Sequence, residues 1–295
     1  MSTYRFELRD ASLSEALRRI AGAETAAILH LLTDDAPEAA AILGLRKRCK
    51  KIRAVLRLMS AGLPKVQPAE NALLRETAGG LASRREAAAR LATFDQIAAG
   101  ETEPALLTLR AHLATEALLP EAEPGMGDSL RNTFAALALR IESWELRGPD
   151  RRVLVEGLAE TRMRARTAMR TARDARSDEA LHDWRKRAKD LWYQTRLLAP
   201  VWPEVMKPLA LEADILGKTL GHHHDLADLA AHLAGLEEDV LRAPLRETLM
   251  ARILEAQTAL ETRAFPLGAR LLAGDPEEVA EQWVKWWKIW RAQVG

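Results

Sequence analysis

One basic helical segment occurs twice in this chain, 139 residues apart, and that repeat limits the fold more than any other feature. Leu43 to Met59 reads LGLRKRCKKIRAVLRLM, and His182 to Leu198 reads HDWRKRAKDLWYQTRLL. At the single offset Arg46 meets Arg185, Lys47 meets Lys186, Arg48 meets Arg187, Lys50 meets Lys189 and Leu58 meets Leu197. Pro64 meets Pro203 and Glu86 meets Asp225 without a change of register. Such a constant offset predicts two similar helical halves, each presenting a cationic helix, and points to a polyanion as partner.

Helical periodicity runs through the rest. Ala, Leu, Arg and Glu are abundant and favour helix, aromatics are only 5%, and no β-branched alternation is sustained. The expected fold is all-α: two pseudo-symmetric up-and-down helical bundles, with a basic groove between them if their cationic stripes face one another. Residues 119–128, LPEAEPGMGD, combine two prolines, two glycines and three acids with no apolar face. They divide the chain into an N-terminal half (1–120), a linker (121–128) and a C-terminal half (129–295).

Local signals place the helices. Ser12 or Ser14 is suited to cap a first helix through about Leu32, and Asp34 or Asp35 with Pro37 to open the first basic helix. Gly62 to Pro64, Gly79-Gly80, Gly100 and Pro104 punctuate the first half. A helix from Asp128 or Ser129 is expected to end near Arg147 to Pro149. An arginine-rich helix then runs to about Arg176, and Ser177 or Asp178 caps the second basic helix, which ends near Ala199-Pro200. Four more helices are expected at Glu204–Leu216, Asp225–Leu236, Glu238–Thr262 and Pro276–Val294.

The net charge is only +1, so a polyanion site requires segregated charge. Spacing supplies it. His182, Arg185, Lys186 and Lys189 share one helix face, as do Leu43, Arg46, Lys47 and Lys50, continued by Arg53 and Arg57. Leu45, Ile52, Val55 and Leu56, and Leu181, Trp184, Ala188 and Leu191, are left for a core. Arg162, Arg166, Arg170 and Arg173 form a further stripe, and Arg18 and Arg19 add cations from the first helix. Phosphate oxygens suit such stripes, with Arg as a bidentate fork and Lys as a compact charge. Nucleic acid is disfavoured, because few aromatics interleave the charges and no recognition motif is present.

The second segment, LHDWRKRAKDLWYQTRLL, resembles the CHAD family, the conserved-histidine α-helical domain. His182, Arg185, Lys186 and Lys189 match the family's pattern of a histidine followed by cations at helical spacing. Tyr4 to Gly22 looks like its N-terminal strand-like lead and first helix. Leu81 to Phe94 and Leu220 to Leu233 look like the helices that follow each basic helix. The resemblance implies a basic pore between two bundles that binds inorganic polyphosphate, with association to storage granules in some members. The chain departs from the pattern in three places: Leu43 replaces the first histidine, Asp190 stands opposite Lys51, and Trp192 stands opposite Arg53.

The expected ligand site is therefore Arg18, Arg46, Lys47, Lys50, Arg53, Arg162, Arg166, His182, Arg185, Lys186 and Lys189. No catalytic constellation, cofactor motif or metal set is expected. His222, His223 and His224 point about 100° apart on a helix and read as surface or interface histidines near a helix start. Cys49, between Arg48 and Lys50, reads as a packing residue, and no disulfide is possible with one cysteine. Trp283, Trp286, Trp287 and Trp290 make an aromatic stripe that docks a final helix, with Lys285 and Lys288 on its other side. No apolar leader opens the chain and no membrane span is present, so a cytoplasmic location is expected. Two other functions fit the residues: a scaffold for an acidic protein, and a metal-dependent phosphohydrolase built on the histidines.

Overall fold

The computed structural model describes residues 3–33, 39–81, 83–118 and 125–294. Among these there is no strand, and the helices are α1 (Leu13–Leu31), α2 (Ala39–Leu58), α3 (Val66–Gly80), α4 (Ser83–Ile97), α5 (Pro104–Glu116), α6 (Met126–Glu142), α7 (Asp150–Ala175), α8 (Asp178–Leu197), α9 (Pro203–Ala234), α10 (Ala243–Leu271) and α11 (Pro276–Arg291). The all-α expectation holds. Shifted by 139 residues, α2 coincides with α8, α1 lies within α7, and α3 with α4 spans nearly the same stretch as α9.

Caps explain several starts. The Ser12 hydroxyl accepts from the Glu15 amide, and the Ser177 hydroxyl from the Ala180 amide, each satisfying a donor that the first turn leaves open. Asp34, Asp35 and Pro37, expected to open α2, lie outside the described residues, as does most of the expected linker. The helix after it starts at Met126, behind Gly125 at φ 79°, rather than at Asp128 or Ser129.

Four expectations need correction. The strand-like lead is irregular: Tyr4 and Phe6 are buried, and the Phe6 amide is tied to the Leu197 carbonyl at the end of α8. The helix expected to reach Arg147 stops at Glu142, and buried Trp144 lies in the non-helical passage that follows. The two helices expected at Glu204–Leu216 and Asp225–Leu236 are one, α9, because Leu216, Leu220 and Leu226 keep a buried helical face through the intervening glycines. Finally, α10 runs on past Thr262 through Pro266, since Ala264 and Leu267 pack against the core that contains Trp184.

Three apolar cores result. One joins α1, α2, α6, the start of α7 and the tryptophans of α11, so residues from both sides of the 121–128 linker share it. A second joins the end of α7 to α8, α9 and α10 around Trp184. The third joins α4 and α5 to the ends of α9 and α10. Trp283, Trp287 and Trp290 are buried as the stripe predicted, while Trp286 meets half-exposed Trp202 edge-on.

The helices that matter for the site form a circuit. At one crossing, α2 meets α8 through Arg57 and Asp190. At the other, α4 meets α9 through Arg90 and Asp228, 3.3 Å apart. α3 connects α2 to α4 on one side, and α8 lies along α9 on the other.

Candidate functional site: a cationic seam on each side of the helix circuit

The second basic segment forms a seam between α8 and α9. Leu181, Trp184, Ala188 and Leu191 fill the core side of α8, which turns Arg185 and Lys189 across α9. Gly217 makes room for Lys189, and Gly221, one turn on, lies against Arg185. A Cβ on Gly217 would come within 2.9 Å of Lys189 Cε, and one on Gly221 would touch Arg185 Nε at 3.5 Å. Lys189 Nζ sits 3.3 Å from Asp214 Oδ1 and 4.6 Å from the Trp192 ring centre. Lys218 holds the other oxygen of Asp214 at 2.8 Å. Burial lowers the Lys189 ammonium below its ordinary pKa against the pull of Asp214. Lys186 is exposed, with Asp183 3.9 Å away.

His182 closes the seam's far end. Its ring lies 4.0 Å from that of His224, and its Nδ1 is buried without a hydrogen-bond partner among the described residues. Burial, then His224, Lys186 and Arg185, push the His182 pKa down to about 4. Burial, then Arg185, lower His224 as well. Both shifts favour the neutral imidazoles at pH 7 in the ligand-free protein.

That depression has a stability consequence. Below its ordinary value of 6.5, the unfolded chain takes up a proton at His182 that the fold refuses until about pH 4. The contribution is complete above pH 6.5 and declines as pH falls toward 4. Thermal unfolding at pH 7 and pH 5 should show a lower midpoint at pH 5. His182→Leu, which copies the residue at 43, should shrink that drop, and an undiminished drop would refute the assignment.

The first basic segment packs on α3. Arg46 donates to the Leu81 carbonyl at 3.0 Å, and Arg53 Nε donates to Asn71 Oδ1 at 3.0 Å. Burial, then Arg57, pull Arg53 down to about 10. Lys47 and Lys50 are exposed, and Leu43, in the place of His182, is 49% exposed.

Two carboxylates absent from the expected site neutralise the inner ends of the basic helices. Glu24 of α1 is buried and holds Arg48 at 2.7 Å and Lys51 at 2.6 Å. Asp190 is buried and bridges Arg57 and Arg187, the latter at 3.2 Å. Its counterpart by offset is Lys51, whose pKa burial lowers against the pull of Glu24, with smaller contributions from Arg48 and from Arg196, the counterpart of Arg57. Other groups the sequence did not single out for this site are Asp214, Lys218 and His224.

Arg18, Arg162 and Arg166 do not join the seams. Arg18 donates to the Trp144 carbonyl at 2.9 Å. Arg162 is buried, donates to the carbonyls of Leu271 and Ala273, and lies over the Trp283 ring. Arg166 donates to the Gly274 carbonyl at 3.1 Å. The turn between α10 and α11 supplies the carbonyls that hold Arg162 and Arg166.

The histidine triplet is in the middle of α9 rather than near a helix start, which corrects the expectation. His222 is exposed, and His223 is buried 3.3 Å from Glu261. Among the described residues no group of three His, Cys, Asp or Glu side chains could hold a metal ion. Burial raises the Cys49 thiol to about 12, outweighing Arg53, Arg46 and Lys50, so it is a packing residue. No described helix is long and apolar enough to cross a membrane.

Comparison with known proteins bears on this arrangement. No curated protein matches the chain. The CHAD domain model matches residues 11–234, from just before α1 to the end of α9, and so takes in both seams and both crossings of the circuit. The chain belongs to the CHAD-domain family.

Proposed function

We propose that this protein binds inorganic polyphosphate without catalysing a reaction, along the α2–α3 and α8–α9 seams. The observation that carries the reading is the passage of Lys189 and Arg185 across α9 at Gly217 and Gly221, with Gly217 close beneath the Lys189 stem. It sets two cations one helical turn apart in a fixed geometry, with exposed Lys186 beside them and Lys47 and Lys50 in the matching places on α2. A chain of phosphoryl groups offers repeated oxygens to such a row, and its binding releases condensed counterions. The two seams are the related sides of a duplicated fold. The neutral imidazoles of His182 and His224 add a hydrogen-bonding surface without further charge repulsion. By holding this ligand, the chain is brought to polyphosphate granules in the cytoplasm.

Lysine labelling locates the ligand. The folded protein is acetylated at limiting reagent with and without long-chain polyphosphate, and each lysine is quantified by mass spectrometry. Lys47, Lys50 and Lys186 should be protected severalfold, while Lys207, Lys285 and Lys288 should label as before. Equal protection at all lysines, or none at the first three, would contradict the site.

A further inference from the structure

At the C-terminal end of α2 a polar pocket of about 200 Å³ opens between α2, α7 and α8. Arg57, Arg164 and Arg187 line it together with Asp190 and Glu160. Asp190 holds Arg57 and Arg187, and Glu160 holds Arg164 at 2.5 Å. The Arg164 side chain is about half exposed, so the pocket reaches solvent. The Nε–H groups of Arg57 and Arg187 are buried and meet no acceptor among the described residues.

Three guanidiniums against two carboxylates leave one positive charge. Placing a fully ionised oxyanion beside Asp190 is costly, but a protonated one gains a hydrogen bond there. A carboxylate oxygen retains acceptor capacity after pairing with one arginine. The interior phosphoryl groups of a polyphosphate chain carry no proton near neutrality. A terminal phosphoryl has a second ionisation near pH 6, so part of its population keeps an O–H there. At about 200 Å³ the pocket has room for a terminal phosphoryl group. The cationic stripe also leads to it, since Arg57 follows Arg46, Lys50 and Arg53 along α2.

We infer that this pocket receives the protonated terminal phosphoryl group of a linear polyphosphate. Arg57, Arg164 and Arg187 hold its oxygens, and Asp190 accepts its proton in a hydrogen bond. The inference builds on the proposed polyphosphate binding and adds recognition of a chain end. Sulfate and ring-shaped metaphosphates, which lack that O–H, are disfavoured.

The test compares linear triphosphate with cyclic trimetaphosphate by calorimetry on the full chain. The linear ligand should bind at least tenfold more tightly than the ring. Arg187→Gln should reduce that ratio to near one. Arg164→Gln, at an exposed position, should do the same and serves if the first variant misfolds. Lys186→Gln removes an equal charge outside the pocket, so it should weaken both ligands and keep the ratio. A ratio near one in the unaltered protein, or a ratio that survives both pocket variants, would overturn the inference. Tight long-chain binding beside such a result would leave the proposed function standing. A strong linear preference without long-chain binding would uphold the pocket and sink the broader reading.

Discussion

Replacing Arg185, Lys186 and Lys189 together with alanine should weaken long-chain polyphosphate binding at least a hundredfold and leave the helical content unchanged. A hydrogen bond to a charged group contributes about 1.5–3 kcal/mol, and about 1.4 kcal/mol is tenfold in affinity. Even partial loss of three such contacts passes a hundredfold. The fold has little to lose. Lys186 is exposed, Asp214 keeps Lys218 as its partner when Lys189 is removed, and Leu181, Trp184, Ala188 and Leu191 still seat α8. Calorimetry beside circular dichroism gives both answers. Unchanged affinity in a folded triple variant would remove the α8–α9 seam from the site.

Gly157→Ala should destabilise the protein by about 3 kcal/mol or more, the range reached when a core is overpacked. A Cβ at this position would fall 1.8 Å from the Leu58 carbonyl oxygen and 2.7 Å from its carbon. Both are backbone atoms, so no side-chain rotation relieves the clash, and α7 must move away from the end of α2. That contact also supports the place where Arg57 meets Asp190. Gly22→Ala in α1 is the control, because its Cβ would meet nothing within 4 Å. It should be neutral or stabilising by roughly 0.4–1 kcal/mol, through a less flexible unfolded chain. Urea unfolding of the two variants measures the difference, and equal stabilities would contradict the close approach.

What the sequence made legible was local. Apolar spacing marked the buried faces of α2 and α8, and Ser12 and Ser177 marked two helix starts, because periodicity and capping depend on neighbours a few residues away. What it hid depended on partners distant along the chain. Gly217 and Gly221 fall in the gap between the helices expected at Glu204–Leu216 and Asp225–Leu236, yet they sit inside α9 where Lys189 and Arg185 cross it. Arg162 and Arg166 have the same helical spacing as the seam cations. Only the fold shows that the α10–α11 turn supplies carbonyls to them. Asp190 was visible as an acid in a basic position, but not as the bridge between Arg57 and Arg187. The spacing of His182 placed it on the face of Arg185 and Lys189 but left its charge open, because its depressed pKa comes from burial and from His224 on another helix.

The most direct measurement is a calorimetric titration of the unaltered protein with long-chain polyphosphate at low and moderate salt, with double-stranded DNA as competitor. The fixed cationic seams predict tight binding that weakens steeply with salt, with a log–log slope of roughly −0.7 for each phosphate neutralised on a single-stranded chain. DNA should not displace the ligand. A folded protein that shows no binding, or one that releases polyphosphate to DNA, would contradict the account.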